Sequence, residues 1–253
     1  MRTIDSRRDA GWHSFDVPAI YQSSCRQIRK PALHVGCIEA LASLAHTQAV
    51  AWGSLADAAI MPEAIDIFED RSRLRRKRIE NYLHEIVGID TESITGRDAL
   101  ASRATQFHSD AHFQAVFAVV SLTRKKGAIV FPRLGVQVRL ELGAVVIFDT
   151  TEIHALLPTG HSEFVADACV AAPVHRFASV TIARTDAALI EHLGPVDVVH
   201  PCPTQAIDLW SVEICEQSGQ LHPHGIYPSA QGNDPLFLSF APLTAPAGSQ
   251  SAA

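Results

Sequence analysis

The chain has 253 residues, 47% of them hydrophobic, a formal net charge of −6 and a pI near 6.1. That size and apolar content suit one domain with a sizeable core, and the acidic balance argues against a surface built to attract nucleic acid or anionic lipid. No run reaches the roughly eighteen apolar residues of a membrane-spanning helix, and the five cysteines (Cys25, Cys37, Cys169, Cys202, Cys215) share no C-x-x-C spacing, which disfavours a disulfide framework and a cysteine zinc site.

The amino-terminal stretch "MRTIDSRRDAGWHSFD" carries charge with no apolar segment behind it, so no secretory leader and a cytoplasmic setting are expected. Residues 36–52, "GCIEALASLAHTQAVAW", are rich in Ala and Leu and read as a helix. A second helix is predicted from Met61 to Val87, with Pro62 at its first position, Glu63 and Asp66 at the positive end of the dipole, and Gly88 as its stop. Its centre, Arg71 to Arg78, is strongly basic and reads as a solvated face paired with Asp66, Glu69, Asp70 and Glu80.

After Asp98 the texture changes to short β-rich runs punctuated by Gly127, Pro132, Gly135 and Gly143. Strands are predicted at 113–122, 127–132, 136–142, 144–149, 153–158 and 176–183. "VQVRLEL" alternates as a half-buried strand does, whereas "AVVIFD" is a continuous apolar run as in a central strand. So many short strands at this spacing indicate a sandwich or barrel. A short helix capped by Asp186 follows over 185–194. "IDLWSVEIC" and "PLFLSFAP" are candidate further strands, and the final residues 244–253 are expected to be disordered. The whole is read as a single domain: a mainly helical part over 1–99, a β core over 100–184 and an extension over 185–243.

Within "QFHSDAHF" (106–113), His108 and Asp110 stand at i, i+2 spacing, which puts both side chains on one face at the lip of a strand. Two histidines and one carboxylate on one face of an octahedron form the ligand set of redox-active iron, leaving three positions open. His154, which opens the strand after "LGAVVIFDTTEI", is placed to supply the third ligand. His112 is not expected as a ligand. His161, His175, "HPCP" (200–203) and "HPH" (222–224) read as ordinary core or loop residues.

The succession H-S-D (108–110), G-A-V-V-I-F-D-T-T-E-I-H (143–154) and an Arg heading a further strand (Arg176 in "HRFASVTIA") resembles the non-haem Fe(II), 2-oxoglutarate-dependent oxygenases, whose pattern is H-x-D…H…R. The resemblance covers about a third of the chain. It implies an α+β fold, a double-stranded β-helix (jelly-roll, cupin-like) core with the amino-terminal helices packed on one sheet. It implies Fe(II) held by His108, Asp110 and His154, with 2-oxoglutarate and O2 as co-substrates. The distal carboxylate of 2-oxoglutarate would meet Arg176, assisted by Ser179 or Thr181. Arg176 lies farther beyond His154 than in many members, so Arg184 and Arg139 stay open as alternative anchors.

The activity so implied is hydroxylation, desaturation or ring closure of a small molecule, in its narrower form an amino acid or specialised metabolite. Two other readings stand beside it. One is a nucleobase-oxidising dioxygenase, which the basic 71–78 run would serve. The other is a non-catalytic, cupin-like binder of small molecules.

Overall fold

The computed structural model describes residues 1–15, 22–23, 26–27, 31–42, 65–69, 72–110, 115–124, 127–132, 134–150, 152–194, 210–214 and 221–223. The strands run in chain order: β1 (Arg2–Asp5), β2 (Gly11–Ser14), β3 (Gln22–Ser23), β4 (Arg26–Gln27), β5 (Ala32–Cys37), β6 (Asp66–Glu69), β7 (Ile94–Ser102), β8 (Phe107–Ser109), β9 (Ala115–Ser121), β10 (Gly127–Phe131), β11 (Val136–Leu140), β12 (Ala144–Asp149), β13 (Ala155–Pro158), β14 (His175–Ala183), β15 (Trp210–Ile214) and β16 (Leu221–Pro223). The helices are α1 (Glu39–Ala42), α2 (Arg73–Tyr82), α3 (Ala166–Val170) and α4 (Ala187–Leu193). No helix of the described residues is long and apolar enough to cross a membrane.

The strands of the central region are shared between two sheets, with β10 and β11 forming a hairpin within one of them. The larger sheet has the order β2-β5-β12-β9-β14-β7-β6, and the smaller β1-β11-β10-β13. The strand β8 joins the smaller sheet through a bridge between His108 and His154, and β15 and β16 extend it further. The four-strand series β7-β14-β9-β12 opposite β8-β13-β10-β11 is the strand order of a double-stranded β-helix, so the fold is α+β with a jelly-roll core.

Two apolar clusters define the faces. One joins both sheets, with Ile129, Phe131, Val138 and Leu156 of the smaller meeting Val119, Val146, Phe148 and Phe177 of the larger, and this is the barrel interior. The other sets Val116, Ala118, Val145, Val180 and Ile182 against Ile79, Leu83 and Leu189, and this is the outer face of the larger sheet, covered by α2 and α4. That face is the apolar surface the amphipathic helix needs, as the sequence predicts.

The amino-terminal part departs from expectation. The predicted helix over 36–52 is instead a strand to Cys37, which pairs with β12, then the short α1; residues 43–64 lie outside the described residues. The predicted helix from Met61 begins only at Arg73. Ser72 caps it by accepting from the Arg75 backbone N–H, while Asp66–Glu69 pairs with β7 as an edge strand. A capping serine inside the run starts the helix there, with Ile67 and Phe68 left to a β-edge. The helix stops through a π-turn over Leu83–Val87 at Gly88, whose φ of 84° is the left-handed cap that favours glycine. Nor is its basic run only a solvated face: Arg75 is buried, and the Arg78 guanidinium donates to the Ala40 carbonyl.

The predicted strands from 113 to 183 match β9 to β14 to within a few residues, and Asp186 caps α4 by accepting from the Ala188 N–H. "IDLWSVEIC" contains β15; "PLFLSFAP" and residues 244–253 lie outside the described residues.

Candidate metal centre

His108 and His154 face each other across a narrow antiparallel bridge. Each backbone N–H donates to the other's carbonyl, His108 to His154 at 3.0 Å and His154 to His108 at 2.9 Å. Residues that exchange both hydrogen bonds point to the same side of the sheet, and the two rings lie 4.4 Å apart, centroid to centroid. Asp110, two residues beyond His108, is fixed by its N–H donating to the Thr150 carbonyl at 2.7 Å. Its carboxylate oxygens stand 3.9 Å from His108 Nε2 and 3.8 Å from His154 Nε2. One ligand atom from each residue lies within 4.8 Å of the others. Adjacent octahedral ligands at about 2.1 Å from an ion are about 3 Å apart, so the three need to draw together by about 1–2 Å to hold one.

The ring orientation is also set. His108 Nδ1 lies 2.8 Å from the Gln106 carbonyl and His154 Nδ1 lies 2.9 Å from the Glu152 carbonyl. A carbonyl only accepts, so each Nδ1 carries the proton and each Nε2 lone pair faces the centre. Burial, then the neighbouring His108, push the His154 pKa down to about 4 against the opposing pull of Asp110. His154 is therefore neutral at neutral pH, as a ligand must be. Phe148 and Phe131 flank its ring at 4.6 and 6.1 Å. The residues present thus fit a metal with two nitrogens and one carboxylate, a set that suits iron.

The expected 2-oxoglutarate anchor does not fit in the same way. Along β14 the residues Ala178, Val180 and Ile182 belong to the helix-covered face and Phe177 to the interior. Arg176 therefore falls on the outer face, opposite Ala101 of β7, and not in the barrel as expected. Arg184 is buried beside α4, where its Nε donates to Asp149 at 3.1 Å and its Nη1 to the Leu189 carbonyl at 3.5 Å. Arg139 is exposed between buried Val138 and Leu140 on the outer side of the smaller sheet. Ser179 and Thr181 do take the interior face, alternating with Ala178, Val180 and Ile182. His112 lies outside the described residues.

Sequence reasoning missed two features here. The strand β15 pairs with β8, setting Ser211 opposite His108 and Trp210 opposite Ser109, so the carboxy-terminal extension braces the ligand strand. The buried Asp149–Arg184 pair was also not foreseen; its sequence signal was a lone Asp closing an otherwise apolar run.

No protein-family model matches this chain, and no curated protein does. Among solved structures it is similar to the non-heme alpha-ketoglutarate-dependent epimerase SnoN from nogalamycin biosynthesis, at 16% identity over 79% of this chain and 93% of that one, with a TM-score of 0.37. It is also similar to a Pseudomonas putida prolyl-4-hydroxylase, at 14% identity over 60% and 91% with a TM-score of 0.34. A third is the alpha-ketoglutarate-dependent carbocyclase SnoK, at 14% identity over 62% and 79% with a TM-score of 0.31. Likenesses at such scores decide nothing about this chain, and its fold assignment rests on the strand order.

Proposed function

We propose that this chain is a non-haem iron(II) oxygenase acting on a small molecule. The observation that carries this reading is the convergence of His108, Asp110 and His154 at the mouth of a double-stranded β-helix, with both Nε2 atoms turned inward. Iron bound there would supply the redox chemistry that activates dioxygen and oxidises a C–H bond. The protein's own part is positional. The Gln106 and Glu152 carbonyls lock the two rings, and the Thr150 carbonyl sets the Asp110 loop. Phe131 and Phe148 wall one side against water. Three ligands on one face leave adjacent positions for substrate, co-substrate and oxygen.

In its narrower form the reading has 2-oxoglutarate as co-substrate. The vacant coordination positions suit its 2-oxo acid end, and the inward Ser179 and Thr181 suit a carboxylate. Arg176, Arg184 and Arg139 do not suit the role of its distal anchor. That observation favours a second form, in which the substrate itself supplies all the electrons. A nucleobase oxygenase is less supported, because Arg75 and Arg78 of the basic helix are turned to packing.

Anaerobic titration with Fe(II), followed by metal analysis, tests the reading. Wild-type protein should retain one iron per chain, and Asp110→Ala and His108→Ala should each weaken retention by a hundredfold or more with unchanged circular dichroism. Full iron retention by both variants would sink the assignment. Release of succinate from 2-oxoglutarate, with a panel of small-molecule substrates, separates the two forms.

A further inference from the structure

Two members of the triad, Asp110 and His154, are held from one turn, and a buried ion pair stands at its base. The Glu152 N–H closes this turn by donating to the Asp149 carbonyl at 2.9 Å. The Thr150 carbonyl accepts from the Asp110 N–H at 2.7 Å, and the Glu152 carbonyl accepts from His154 Nδ1 at 2.9 Å. Thr150 Oγ1 also donates to the Ala115 carbonyl at 3.2 Å, which ties the turn to the first residue of β9. Wherever the turn sits, the Asp110 backbone and the His154 ring go with it.

The side chain of Asp149 fixes the turn from the other side of the sheet. Asp149 follows Val145 and Ile147 in steps of two, so it points to the helix-covered outer face, away from the triad. Arg184 stands two residues past Ile182 of that same face. Its Nε donates to Asp149 Oδ2 at 3.1 Å, with the two side chains 2% and 3% exposed, and its Nη1 reaches the Leu189 carbonyl of α4 at 3.5 Å. The start of α4 is held in turn by Asp186, which accepts from the Ala188 and Asp90 N–H groups at 2.9 Å each. The neighbours on this face are apolar, so an apolar residue at position 149 would serve for packing. A buried ion pair adds little stability over apolar side chains of like size. What it adds is direction, because a charge-assisted hydrogen bond is short and angular and fixes the end of the strand that bears it.

We propose, on the reading of the triad as a metal site, that Asp149 and Arg184 are positioning residues for it. The pair anchors to α4 the turn that aims Asp110 and His154 at the centre, without touching the metal or its ligands. Such a hold matters because ligands serve only within about half an ångström of their working positions. Partners that orient a ligand set commonly govern metal affinity by tenfold to a hundredfold.

Titration of the full chain with Co(II), followed by visible absorption, tests this, since the bands report ligand geometry as well as affinity. Asp149→Leu and Arg184→Met combined in one chain remove both charges and leave neither unpaired, so that protein should fold and melt close to the wild type. Its Co(II) affinity should nevertheless fall tenfold to a hundredfold, with altered bands. In metal-free protein the amide hydrogens of Asp110 and Glu152 should exchange about tenfold faster than in the wild type. Gly36→Ala, which disturbs the same sheet at β5, should leave affinity, bands and exchange as they are. Wild-type Co(II) affinity in the doubly substituted protein overturns the proposal, and so does an equal loss of affinity in Gly36→Ala, which would make the effect one of general stability. A wild-type chain that takes up no Co(II) overturns the metal reading itself. Faster exchange at Asp110 and Glu152 then still supports the hold of the pair on the turn, and unchanged exchange ends it.

Discussion

At the scale of single residues the three arginines that the H-x-D…H…R pattern brings forward have three different environments. Arg184 is 2% exposed, and its ion pair with Asp149 at 3.1 Å is buried on both sides. Removing one partner of such a pair leaves the other charge desolvated, at a cost of about 3–5 kcal/mol. Arg184→Met should therefore lower unfolding stability by that order, read from urea denaturation midpoints. Arg176 is half-buried on the face shared with Ala178 and Val180, so Arg176→Met should cost much less. If 2-oxoglutarate binds as in the narrower form of the proposed function, its affinity should also be unchanged, measured by quenching of tryptophan fluorescence in the iron-loaded protein. A strong loss of that affinity in Arg176→Met, with little in stability, would return Arg176 to the interior and reverse the register argument.

At the scale of elements, the docking of α2 on the larger sheet depends on one close approach. Tyr82, the last residue of the helix, lays its hydroxyl over Gly36 of β5, where a Cβ would fall 1.8 Å from the Tyr82 oxygen. Burial pushes the Tyr82 pKa up to about 12, which keeps that hydroxyl neutral. Gly36→Ala should force the helix end off the sheet at a cost of about 1–3 kcal/mol. Tyr82→Phe in the same chain should recover part of it, and a double-mutant cycle on thermal unfolding measures the coupling. Strictly additive losses would mean that the ring does not rest on Gly36. The elements themselves were unevenly legible. The strands from β9 to β14 stand out because glycine and proline bracket each apolar run, and the H-x-D and distal His follow from i, i+2 spacing and strand order. The strand β5 is hidden because "ALHVGC" continues into an Ala- and Leu-rich stretch that carries a helical pattern. The direction of Arg176 is hidden for another reason: β14 is buried on both faces, so Phe177, Ala178, Ser179 and Val180 show no alternation of polarity to orient it.

At the scale of the whole molecule, one histidine gathers segments as far apart in the chain as β2 and α4 and couples their packing to pH. His34 of β5 is 3% exposed on the outer face of the larger sheet, and its Nδ1 has no hydrogen-bond partner. Trp12 of β2 meets it edge-on at 5.3 Å and stacks on His192 of α4 at 4.4 Å, while Tyr82 lies 6.2 Å away. Burial first, then the charges of His13 and His192, push the His34 pKa from 6.5 down to about 4. The unfolded chain therefore takes up this proton before the folded one does. The stability that neutral His34 preserves is complete above pH 6.5 and is lost as pH falls toward 4, to a total of about 3 kcal/mol. His154 shifts in the same direction in metal-free protein, so acid sensitivity alone does not isolate His34. His34→Leu does. It removes the titrating group, keeps the apolar contact with Trp12 and Tyr82, and should flatten the fall in stability between pH 6.5 and 4.5 by about 1 kcal/mol per pH unit, followed by urea denaturation at a series of pH values. A His34→Leu protein with the wild-type pH slope would show that the β2, α2 and α4 contacts around this ring are already open to water in solution.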